Sequence, residues 1–123
     1  MEVLIYIGGI VITLWGVGHL FPIRGVVAGF GKLSDDNRRI ITMEWLAEGF
    51  TLIFIGVLSL IIASVADAGD NVANSVFLIS AAMLVAMAIL SFFTGFKTSI
   101  VPIKACPFVK LTVAALLMLG VIL

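Results

Sequence analysis

The chain has 123 residues, 63% of them hydrophobic and 11% charged, with a formal net charge of zero and a mean hydropathy of +1.32. An average soluble domain carries about 25% charged residues, so this composition excludes one, and the neutral balance gives nucleic acid nothing to bind. The single cysteine, Cys106, excludes an intramolecular disulfide, a Cys-x-x-Cys redox pair and a multi-cysteine metal or iron–sulfur centre within one chain.

A crossing helix needs about 20 apolar residues to span a hydrocarbon core ~30 Å thick. The length leaves room for four, and the expected fold is all-α, a four-transmembrane-helix antiparallel bundle forming a single integral membrane domain over 1–123. The opening Met1-Glu2 lacks the basic stretch of a signal peptide, so the first span is expected to stay in place. That span covers about 3–21 and stops at Pro22, which breaks helical hydrogen bonding and restricts the residue before it. Ser34 is an N-cap followed by Asp35 and Asp36, suited to the positive end of a helix dipole, and opens a second span over about 36–64. A short polar turn with Asp67, Gly69 and Asp70 leads to the third span, 73–94. The segment 95–106 reads as a basic connection, and Pro107 as first-turn proline of a fourth span, 107–123.

The positive charges lie on one side. Arg24, Lys32, Arg38 and Arg39 flank the first connection and Lys97, Lys104 and Lys110 the third, while the second connection and both termini have no Lys or Arg. By the positive-inside rule the connections 22–39 and 95–106 face the cytoplasm and the termini face outward. Between Pro22 and Leu33 apolar residues alternate with Arg24, Lys32 and glycines. Such a segment either lies in the interface, with Arg24, Lys32, Arg38 and Arg39 on lipid phosphates, or folds back over the mouth of the bundle.

Candidate chemistry concentrates in the second span. Glu44 and Glu48 follow Arg39 by five and nine residues, about 7 and 13 Å along a helix. A carboxylate at the centre of a span costs on the order of 3 kcal/mol, so it faces the interior, pairs, or keeps its proton. The i, i+4 spacing puts the two on one stripe with Thr51. His19, three residues before Pro22, falls at a depth that lets it pair with either. Imidazole beside carboxylate is both an interhelical clamp and a proton-exchanging pair. Trp15, one turn before His19, and Trp45, next to Glu44, would wall a flat apolar ligand such as a quinone head group. A metal centre of His19, Glu44 and Glu48 would rest on one imidazole, so none is expected, and Cys106 reads as an inert thiol. Glycines of the first two spans read as helix-packing surfaces.

The order Gly16-Val17-Gly18-His19-Leu20-Phe21-Pro22, followed after a loop by Glu44-Trp45-Leu46-Ala47-Glu48-Gly49 and Gly56-Val57-Leu58, resembles the DoxX-like group of small four-helix membrane proteins over the first 60 or so residues. The resemblance implies a compact bundle in a prokaryotic inner membrane, in some members a subunit linked to quinone or thiol oxidation. The chain holds no Ser-His-Asp set, phosphate loop or polycarboxylate array, so catalysis by the chain alone is not expected. The first functional expectation is an accessory membrane subunit whose His/Glu cluster binds a quinone or lipid head group, within a homo-oligomer or larger membrane complex. The second is an oligomeric proton-coupled transporter or channel using Glu44 and Glu48.

Overall fold

The computed structural model describes residues 2–123, which contain no β-strand. Helices α1 (Glu2–Leu20), α3 (Asp35–Val65), α4 (Asn71–Phe93) and α5 (Val101–Ile122) are each long and apolar enough to cross a membrane. A short helix, α2 (Ile23–Gly29), follows Pro22. The all-α four-span bundle expected from the sequence is therefore present, and its elements begin and end for local chemical reasons.

Ser34 has extended backbone and its Oγ accepts the Asn37 N–H at 3.1 Å, capping α3 above Asp35 and Asp36. The Asp70 carboxylate does the same for α4, accepting the Ala73 N–H at 2.9 Å. Gly31, with φ +78°, supplies the left-handed residue that stops the chain after α2. At 31 residues α3 is about 46 Å long, more than a ~30 Å core requires, and its polar first turns extend beyond the apolar belt.

The start of the fourth span differs from the sequence reading. Helix α5 begins at Val101, six residues before Pro107, and Pro102 occupies its first turn, where a missing N–H costs nothing. Pro107 lies inside the helix and is buried; its ring leaves the Ile103 carbonyl without the usual i+4 donor. Lys104 and Cys106 consequently belong to the helix rather than to a connection. Lys104 lies over the Phe96 ring at 5.5 Å, and Phe92, Phe96 and Phe108 stack edge to face around it, bracing the single 3-10 turn Gly95–Lys97 against α5.

Packing is extensive between α1 and α3, between α4 and α5, and between α1 and α5, but slight between α3 and α4. The α1–α3 seam is built on glycine. Gly16 faces Gly49 and Gly9 faces Gly56, seven residues apart on both antiparallel helices, so that main chains touch at two successive levels. A Cβ on Gly16 would stand 2.8 Å from the Gly49 carbonyl oxygen and from the Ile53 nitrogen, atoms that cannot swing aside. Level with the seam, Ile12 and Leu52 are sealed from solvent, and with Leu84, Val113 and Leu117 they form the hydrocarbon core of the bundle.

The seam makes a direct prediction. Gly16→Ala forces α1 from α3 and should lower stability by about 1–3 kcal/mol, the usual cost of overpacking, in denaturant titrations of the detergent-solubilised protein. Gly18→Ala, whose Cβ meets nothing within 4 Å, should leave it unchanged.

Candidate functional site

Four long helices each contribute to one polar cluster near the end of the bundle that carries the basic connections. Helix α1 supplies Trp15 and His19, one turn apart. The His19 Nδ1 lies 2.8 Å from the Trp15 carbonyl oxygen, and since a carbonyl only accepts, Nδ1 carries the hydrogen. In the neutral ring this leaves Nε2 as the acceptor, with the Cys106 thiol as a hydrogen-bond partner of the ring. Trp45 on α3 donates its indole N–H to the His19 carbonyl at 2.6 Å, satisfying one of the carbonyls left without a partner at the end of α1. The imidazole sits between the two indoles, centroids 6.2 Å from Trp15 and 5.1 Å from Trp45.

The Nε2 edge faces Glu48 and Cys106. Glu48 Oε2 lies 3.9 Å from Nε2, while Oε1 accepts a hydrogen bond from the Lys110 ammonium. Lys110 also donates to Ser91 Oγ at 3.1 Å, so this one side chain ties α5 to both α3 and α4. The Trp15 indole donates to Cys106 Sγ at 3.4 Å, joining α1 to α5. One nitrogen of His19, one oxygen of Glu48 and the sulfur of Cys106 lie within 4.8 Å of one another, a donor set that suits a metal ion.

These positions sort the sequence expectations. Of the two carboxylates that could meet His19, Glu48 lies beside it and Glu44 does not. In the register set by Gly16 and Gly49, Glu44 stands level with Phe21, past the end of α1, and is exposed at the rim of the cluster with no ion pair. The most deeply buried charge is a lysine: the Lys110 side chain is 1% exposed and that of Glu48 30%. Cys106 replaces Glu44 as the third donor beside His19 and Glu48. Starting the fourth span at Pro107 puts Cys106 in a connection, away from the site, and gives Lys110 only as one of several basic residues near that end. The signal was there: Cys106, Lys110, Val113 and Leu117 follow helical spacing on one buried stripe.

The residual exposure of Glu48 opens into a cleft of about 1300 Å³, where the gap between α3 and α4 is lined by Thr51 and Met87 and its inner wall by Trp15, His19, Cys106 and Lys110. Gly25, Val26 and Gly29 of α2 also line it. Arg24, Lys32, Arg38 and Arg39 do not reach the cluster; all four are exposed around that end of the bundle. No family model, curated protein or solved structure matches the chain.

Removing one member of a buried ion pair strands its partner, at a cost of about 3–5 kcal/mol. The exposures make that cost unequal here. Glu48→Gln strands a fully enclosed ammonium and should destabilise more than Lys110→Met, which strands a carboxylate that reaches the cleft. The double substitution should be more stable than Glu48→Gln alone, measured by denaturant titration in the same detergent.

Proposed function

We propose that this protein is a small accessory subunit of a prokaryotic inner membrane that holds an amphipathic, membrane-soluble molecule in the α3–α4 cleft, with the polar head of the molecule at His19 and Glu48. The observation that carries this reading is the composition of the cleft. Its walls are mostly hydrocarbon, and within it His19, Glu48, Ser91, Cys106 and Lys110 form one connected polar cluster beside two indole rings. Ligand sites have this character, an apolar enclosure with a few placed polar groups. A quinone ring suits the walls formed by Trp15 and Trp45, and a lipid head group suits the Glu48–Lys110 pair. The slight packing of α3 on α4 favours entry from the bilayer itself. The resemblance of the first 60 or so residues to the DoxX-like group points the same way.

The transporter reading has less support within one chain. Below Lys110 the buried side chains include Ile12, Leu52, Leu84, Val113 and Leu117, and among the described residues no buried charged side chain lies nearer the opposite end. Transport would have to run along a surface between copies.

Native mass spectrometry of protein released from its own lipids tests the ligand reading. A lipophilic adduct of defined mass should accompany the unmodified chain, be lost in His19→Ala and in the Glu48→Gln/Lys110→Met double variant, and persist in Glu44→Gln. The mass separates a quinone from a lipid. Retention in all variants, or no adduct on the unmodified chain, would overturn the reading.

The proposed orientation follows from the exposed basic residues Arg24, Lys32, Arg38, Arg39 and Lys97, with the Asp67 and Asp70 turn on the opposite face. In a Cys106→Ser background, a membrane-impermeant maleimide added to intact cells should label Asp67→Cys and not Arg38→Cys. The reverse pattern would invert the topology.

A further inference from the structure

We propose that His19 and Cys106 hold a single Cu(I) ion at the inner wall of the cleft, with Glu48 and Lys110 setting the charge the site accepts. The donor geometry comes first. Fixing the hydrogen on Nδ1 through the Trp15 carbonyl aims the Nε2 lone pair at the cluster, the arrangement in which a metal-ligating histidine is held by a backbone acceptor. His19 is 7% and Cys106 6% exposed, so both donors are already desolvated and oriented. The Trp15 indole N–H donates to Cys106 Sγ at 3.4 Å, a contact that supports a metal-bound thiolate.

Charge then selects the ion. Glu48 and Lys110 cancel one another, and Cys106 and His19 together carry no net charge whichever of the two holds the thiol proton. Binding breaks the S–H bond of Cys106, forms Cu–S and Cu–N bonds, and releases the proton to water at the cleft. No oxidation state changes. A monovalent ion in place of that proton leaves the enclosed site neutral, whereas Zn(II) would leave an uncompensated positive charge among four apolar helices, a costly state. Thiolate softness favours Cu(I) on independent grounds. The inference stands whether or not the cleft takes a lipophilic molecule, because bound copper is read separately from an organic adduct.

The experiment is Cu(I) retention by the full chain in detergent micelles against bicinchoninate under anaerobic reducing conditions, with Zn(II) retention measured in parallel against a zinc chelator. The unmodified chain should hold one Cu(I) and no Zn(II). Cys106→Ser and His19→Ala should weaken retention by more than about 100-fold, beyond the ~10–100-fold that loss of a supporting contact produces, and Trp15→Phe should fall within that smaller range. X-ray absorption at the copper edge of the loaded, unmodified chain should show one sulfur and one nitrogen neighbour, a readout that does not depend on any variant folding. Failure to retain Cu(I), equal retention by Cys106→Ser, equal retention of Zn(II), or a copper environment without sulfur would each overturn the proposal.

Discussion

The ion pair between Lys110 and Glu48 is the constraint around which this small bundle is arranged. A lysine 1% exposed among apolar helices cannot be left without acceptors, since an uncompensated charge there would cost several kcal/mol. Its ammonium reaches Glu48 on α3 and Ser91 on α4, two long helices that pack only slightly on each other. The pair therefore bridges a gap that hydrocarbon packing leaves open. On the far side, the glycine seam lets α1 and α3 approach until their main chains touch, and this close approach places His19 beside Glu48. Tight packing on one side and a polar bridge on the other together give a cleft with a chemically defined inner wall.

The same accounting explains why so many side chains at this end are tied to backbone. The Trp15 carbonyl takes the His19 hydrogen, and the His19 carbonyl takes the Trp45 hydrogen. Each bond satisfies a group that a membrane interior leaves no water to satisfy, and each also fixes a ring. Among the described residues no buried side-chain nitrogen or oxygen lacks a partner. A cluster satisfied in this way is rigid, which suits both a ligand head group and an ion.

Much of the fold was legible because membrane helices announce themselves by length and hydropathy. Ser34 and Asp70 cap where their chemistry indicates, and Pro22 follows the end of α1. The start of α5 was not legible. Two prolines five residues apart each fit a first turn by local rules, and only the tertiary setting shows Pro102 in that role and Pro107 within the helix. That single ambiguity carries Cys106 out of the site. The carboxylates illustrate a second limit: i, i+4 spacing put Glu44 and Glu48 on one stripe, but whether a stripe faces a neighbour depends on where that neighbour ends. Because α1 ends at Leu20, Glu48 has α1 beside it and Glu44 does not.

The account turns on the α3–α4 gap being a binding cleft that ends at the Lys110–Glu48 pair. A density map of the protein in nanodiscs of its native lipids, at a resolution that reveals ordered lipid, tests this most directly. The account predicts elongated density between Thr51 and Met87 whose head lies against His19 and Glu48, with Lys110 bridging α3 and α4 behind it. Helices α3 and α4 packed against one another along their length, with no room between them and the ion pair broken, would contradict it.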